Sequence, residues 1–392
     1  MKLWRSFFGN RTDTVETYLK TYGKMPFGAY AFNDVDSLLL CQLAYLRFDG
    51  MVPGLKGDHA SVTLKSLRHH PHRERLFHKI IFARENRTLF AWMSESRRFA
   101  NLRLNCYVNL VEKTREVQFA AVTFLLEDGT VYVAFRGTDE TFVGWKEDFN
   151  MAFLCPVPGQ TMAVRYLNTV ARCFSGPFYV GGHSKGGNFA VYGAMYCASE
   201  VRSRILRIYN MDGPGFRPEI FRSMRYAAIA DRVVKYLPAF SIVGMLLSGD
   251  NRYRAVAARS YGPVQHDPFR WKIRNGRFVL LKDIYPSVHR TDNALNQWIF
   301  SMNEEQRKLM VDTMYQIVSE TQTESVLDFA ADWKSNVGRL VRAFRKVDGN
   351  TMGILRRNVD AFWGILRAQE ETKPINALPV PGRKRGSVPP TA

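Results

Sequence analysis

Phe178 to Gly193 reads FYVGGHSKGGNFAVYG, a short apolar run, then glycines gathered round one serine, then a helical pattern. The natural reading is a strand, a sharp turn and a helix. Within it Gly182-His183-Ser184-Lys185-Gly186 fits G-x-S-x-G, the turn that holds a serine in a strained backbone conformation at the end of a sheet. The positions two before and two after the serine must be small, because strand and helix nearly touch there. Both are glycine. Ser184 is therefore the candidate nucleophile, and the amide of Lys185, opening the helix, points where an oxyanion would form.

Working outward, Val117 to Leu126 and Thr130 to Phe135 are strand candidates joined by Asp128-Gly129, a hairpin signal. The second runs into Arg136-Gly137-Thr138-Asp139, a turn suited to offering backbone N–H groups and a hydroxyl above the sheet. Val164 to Phe174 reads as the helix before the elbow strand. On the other side, Ile205 to Asn210 is a buried strand ending in Met211-Asp212-Gly213-Pro214-Gly215, which puts an acid on the same rim as Ser184. Arg232 to Tyr236 and Tyr253 to Arg259 are further strands, and Gln265-His266-Asp267 follows the last. Leu237 to Leu247 is a greasy loop or short helix, suited to an acyl pocket, a lid or core packing. Serine, acid, histidine is the chain order of an α/β-hydrolase triad.

Near the N-terminus, Asn33 or Asp34 caps an amphipathic helix through Leu46. Gly50 to Arg87 reads as a long basic connection carrying His59, His69, His70, His72 and His78. It has no cysteine and no His-Glu helical spacing beside it, which argues against a metal. Arg97 to Val111 reads as helical. Beyond Asn303, apolar residues at helical intervals predict three helices, at Leu309–Ile317, Leu327–Leu340 and Ile354–Leu366. The proline-rich tail from Lys373 lacks the apolar content to fold.

Composition sets outer limits. Lys and Arg number 55 against 36 Asp and Glu, a net charge of +19. That balance suits anionic membrane contact, but no stacking motif or recognition helix supports specific nucleic-acid binding. Five cysteines, an odd number at wide spacings without C-x-x-C, argue against a disulfide framework and a thiolate zinc site. The apolar start is broken at Arg5 and Gly9, so no signal peptide is read, and Ala239 to Leu247 is too short to span a bilayer. The expected compartment is the cytoplasm.

The strings FRGTDETFVGWKEDFNM, GGHSKGGNFAVY, YNMDGPGF, SIVGMLL and QHDPFRW, between Phe32 and Trp298, resemble a bacterial family of lipase-like α/β-hydrolases related to class 3 lipases, whose signatures are FRG[ST]…W…D and GHSxGG. The resemblance implies a central, mostly parallel sheet flanked by helices and a serine hydrolase acting on carboxylic esters without metal or organic cofactor. It also implies an oxyanion hole from Thr138 and Lys185, with Ser184 as nucleophile and His266 as base. Class 3 lipases usually carry the acid in a D-[IV]-V-P-like segment one strand later, and Leu237-Pro238-Ala239-Phe240-Ser241 has none. Asp212 is the expected acid, with Asp250 and then Asp267 as alternatives, and His289 is the alternative histidine.

His183 is expected to pack or hydrogen-bond in the core, and the Lys185 side chain to reach solvent. The expected division is an N-terminal segment (1–31), an α/β-hydrolase domain (32–300), a C-terminal helical extension (301–370) and a basic tail (371–392). The expected partner is a small-molecule or lipid ester. A non-catalytic binding protein on the same scaffold is the rival expectation.

Overall fold

Eight strands form one sheet in chain order, β1 (Val62–Thr63), β2 (Arg103–Glu112), β3 (Val117–Leu125), β4 (Val131–Phe135), β5 (Phe178–His183), β6 (Ile205–Met211), β7 (Val233–Pro238) and β8 (Arg254–Val256). The computed structural model describes residues 14–319 apart from 57–59, 140, 152–153 and 248–251, together with 339, 342, 345 and 347–371. β1 to β4 pair antiparallel, and the Asp128-Gly129 turn joins β3 to β4. From β4 to β8 every pairing is parallel. A parallel neighbour demands a crossover. Helices Phe142–Asn150 and Pro158–Cys173 supply it before β5, and helix Lys185–Tyr196 before β6.

Alternation along the strands divides the core into two layers. In β4, Tyr132 and Ala134 face one layer, with helices Asp34–Leu43 and Ala83–Glu95, while Val131, Val133 and Phe135 face the other, with Pro158–Cys173 and Lys185–Tyr196. Burial on both faces is why these strands read as unbroken apolar runs. This is the α/β-hydrolase fold.

Helix Asp34–Leu43 begins at Asn33, whose Oδ1 accepts from Val35 N–H at 2.9 Å, while Asp36 Oδ2 accepts from Asn33 N–H at 3.0 Å. Asp36 is fully buried and ion-paired with the equally buried Arg98.

The expected helix over Arg97 to Val111 is wrong. From Arg103 those residues form β2, and the helix lies upstream at Ala83–Glu95, beginning inside what reads as a basic connection. A β-bulge between Asn105 and Val108, with Cys106 at φ 55°, breaks the two-residue alternation that marks a strand. Helices Glu304–Ser319 and Gly349–Glu371 cover the first and third of the expected C-terminal helices. The second, and the tail from Lys373, lie outside the described residues. Lys146 Nζ meets Asp312 at 2.9 Å, and Trp298 Nε1 donates to the Asn358 carbonyl at 2.6 Å. Among the described residues no helix is long and apolar enough to cross a membrane.

Candidate active site

β5 ends at His183, and helix Lys185–Tyr196 begins two residues later. The residue between, Ser184, sits at φ 57°, ψ −133°, a conformation that L-residues adopt only under compulsion. The compulsion is steric. A Cβ on Gly182 would lie 2.2 Å from the Gly186 carbonyl carbon, and one on Gly186 would lie 2.2 Å from the Phe135 carbonyl oxygen. The turn is pinned by Ser184 N–H donating to the Met211 carbonyl at 2.9 Å. Ser184 is 8% exposed.

Asp212 follows β6 with φ 54° and is fully buried. Its N–H donates to the Tyr236 carbonyl at 2.8 Å, Oδ1 accepts from the Ser241 hydroxyl, and Oδ2 lies 2.7 Å from His266 Nδ1. The greasy segment after β7 thus supports the acid: Ser241 is bonded to it, and Met245 and Leu247 are buried in the core. His266 ends the short turn Gly262–His266, with its side chain 29% exposed. Three struts hold that turn. His183 Nε2 lies 3.0 Å from the His266 carbonyl, Trp271 Nε1 donates to the Gln265 carbonyl at 3.0 Å, and Gln265 Oε1 accepts from Phe240 N–H at 2.7 Å.

His183 is fixed in one state. Burial, and then the neighbouring His266, hold it well below the ordinary histidine range, so it is neutral. Facing a carbonyl, its Nε2 must carry the proton, which leaves Nδ1 to accept from Tyr45 Oη at 3.0 Å. With both nitrogens engaged, it is a strut rather than a proton shuttle.

The turn after β4 passes directly against the elbow. A Cβ on Gly137 would sit 2.6 Å from the His183 carbonyl oxygen and 3.1 Å from Ser184 Cβ. This brings Thr138 beside the serine, its hydroxyl donating to Asp148 Oδ2. The expectation that the Lys185 side chain reaches solvent is wrong. Its ammonium is wholly buried, 3.0 Å from Glu147 Oε2 and 3.8 Å from Asp148 Oδ1, and donates to the Gly144 carbonyl at 3.3 Å. Helix Phe142–Asn150 packs over the first turn of the elbow helix and presents Glu147 to it, so the cation is neutralised inside.

Burial pushes the Asp148 carboxyl up to about 6, against the pull of Lys185 and the Thr138 hydroxyl, and Glu147 adds to the rise. A carboxyl raised in the folded state binds more protons there than in the unfolded chain, so stability falls as pH climbs from about 4 through 6. Wild type is accordingly expected to lose on the order of 2 kcal/mol relative to Asp148→Asn across that window, allowing for partial exposure. Urea unfolding of both proteins at stepped pH checks this; parallel pH profiles would show that Asp148 is not the titrating group.

The other candidates lie elsewhere. His289 Nε2 is 3.3 Å from Asp283 Oδ2 and 3.4 Å from Tyr253 Oη. Asp267 caps the next turn, accepting from Phe269 N–H at 2.9 Å, and pairs with Arg270 at 3.0 Å. Asp250 lies outside the described residues. Sequence reasoning missed Glu147, Tyr45 and Ser241, each of which supports the site from a distant position.

The family model described as Mbeg1-like matches residues 93–316, more than half of the 392-residue chain. The chain belongs to the Mbeg1-like family. The matched span of this Mbeg1-like chain holds Thr138, Ser184, Asp212 and His266 alike. No curated protein matches it. Among solved structures it is similar to M37 lipase, with 13% identity over 55% of this chain and 70% of that one, at a TM-score of 0.35. It is also similar to the native lipase propeptide complex of Rhizomucor miehei, with 16% identity over 45% of this chain and 62% of that one, at a TM-score of 0.31.

Proposed function

We propose that the chain is a serine hydrolase that cleaves carboxylic esters through an acyl-enzyme on Ser184. The observation that carries this is the 2.7 Å bond between buried Asp212 and His266 Nδ1, on the rim where the elbow holds Ser184 at φ 57°. An acid so placed keeps the imidazole proton on Nδ1 and leaves Nε2 free to act as base.

His266 Nε2 takes the Ser184 hydroxyl proton as Oγ bonds to the ester carbonyl carbon. The carbonyl π electrons move to oxygen, and the N–H groups of Thr138 and Lys185 hold that charge. Collapse of the intermediate breaks the bond to the alkoxide, which leaves with the proton from His266. Water, deprotonated by the same nitrogen, then releases the acid and restores Ser184. No step calls for a metal or an organic cofactor. Exposed Trp145 and Phe149, about one turn apart on the helix whose Asp148 accepts from Thr138, and exposed Tyr261 and Val264 at the His266 turn favour an ester with an apolar acyl part.

The rival reading, a binding protein on this scaffold, draws on one observation. Among the described residues no hydrogen bond joins Ser184 Oγ to His266 Nε2. Such bonds often tighten only when substrate is loaded. A fluorophosphonate probe separates the readings, because it traps an activated serine: covalent labelling of Ser184 is expected, and folded protein that stays unlabelled would favour the binder. Asp212→Asn is expected to lower kcat on a short p-nitrophenyl ester by on the order of 10⁴-fold, because the imidazole then rests in the wrong tautomer.

A further inference from the structure

A cavity of about 350 Å³ opens between the start of helix Asp34–Leu43, β6 to β8 and the small hairpin Ile273–Phe278. Its charge is unbalanced. Arg207, Arg254 and Arg277 line it, and the acidic side chain among them is Asp34 alone. That carboxylate is already committed: it accepts from Tyr236 Oη and lies 3.7 Å from Arg207 Nη1 and 3.6 Å from Arg254 Nη1. Arg254 Nη1 also donates to Tyr236 Oη at 3.0 Å. Asp34 and Tyr236 therefore fix the orientation of two guanidiniums without neutralising the cluster. Arg277, exposed at the turn Asn275-Gly276, has no ion pair with a carboxylate among the described residues. The amides at the start of the helix are not the attraction, since Asn33 Oδ1 already accepts from Val35 and Asp36.

We propose that this cavity binds a phosphomonoester carrying an apolar organic group. Three guanidiniums against one carboxylate leave two positive charges, which match a phosphate dianion better than a monocarboxylate, and the guanidinium fork fits phosphate oxygens in pairs. Phe32, Phe278 and Leu280 form an apolar wall for the ester group. The volume lies in the small-ligand range. The site shares no lining residue with the Ser184 rim, so it stands or falls independently of hydrolysis.

The test is calorimetric titration of the full chain with phenyl phosphate, with benzoate as the carboxylate control. Saturable binding with Kd at or below about 1 mM is expected for phenyl phosphate. Arg277→Ala, an exposed change that breaks no ion pair, is expected to weaken it by at least about tenfold. Arg172→Ala, on the helix packed against the other sheet face, should leave it unchanged. Benzoate binding as tightly, or equal binding by the Arg277 variant, would overturn the proposal. Flotation with phosphatidylcholine vesicles containing phosphatidate separates the sources of the phosphate. Arg277-dependent flotation assigns a lipid headgroup, and phenyl phosphate binding without flotation assigns a soluble ester. Failure of both arms overturns the site.

Discussion

Replacing Ser184 with alanine is expected to abolish fluorophosphonate labelling and to lower ester hydrolysis by on the order of 10⁶-fold, leaving only what oriented donors and binding supply. Stability should move by less than about 0.5 kcal/mol. The two expectations rest on separate facts. Among the described residues Ser184 Oγ makes no hydrogen bond, so its removal leaves no buried partner unpaired. The strain at φ 57° belongs to the backbone and survives in alanine. Glycine is different, because it adopts this conformation without a Cβ clash. Ser184→Gly should be equally inactive yet more stable than Ser184→Ala by about 1 kcal/mol. Kinetics on a p-nitrophenyl ester together with urea unfolding of both variants decides the matter. Hydrolysis retained in the alanine protein would remove Ser184 as nucleophile, and an alanine variant as stable as the glycine one would remove the strain.

The elbow was legible because its logic is local: a strand, a serine and glycines at fixed offsets leave one way for the chain to turn. Asp212 and His266 were legible for a related reason, since parallel strands deliver their carboxyl ends to one rim and each residue follows a strand. β2 was not legible. Its bulge at Asn105–Val108 destroys the period on which a strand is recognised, and the apolar residues left over mimic helical spacing. Lys185 was misread because a lysine in the first turn of a helix ordinarily extends into water. Its partner Glu147 lies on a different helix, and no pattern along the chain announces that the two helices cross there. Asp283, which engages His289, likewise sits beside it in space for reasons of local loop packing.

Glu147→Ala is expected to destabilise the protein by roughly 3–5 kcal/mol. Both charged groups of the Lys185–Glu147 pair have no exposed side-chain surface, and the carboxylate does more than face the ammonium. Oε1 accepts from Gly159 N–H at 2.8 Å, and Oε2 accepts from Gln118 N–H at 3.2 Å. Truncation would strand a buried cation and two backbone donors together. Lys185→Met should cost less, because the carboxylate keeps both amides while the apolar stem is replaced by one of similar length. The double variant Lys185→Met/Glu147→Gln should recover much of the loss, since a buried pair replaced whole is often close to neutral. A double-mutant cycle by urea unfolding, closed with Glu147→Gln and Lys185→Met as the two single variants, is therefore expected to give a coupling of at least about 2 kcal/mol. Simple additivity would mean that the two side chains do not sense each other. The pair also locks helix Phe142–Asn150, which carries Asp148, onto the first turn of the elbow helix, and Asp148 in turn holds the Thr138 hydroxyl. If that lock positions the oxyanion donors, the double variant, though folded, should show a lowered kcat with little change in KM, a split that a purely structural role would not produce.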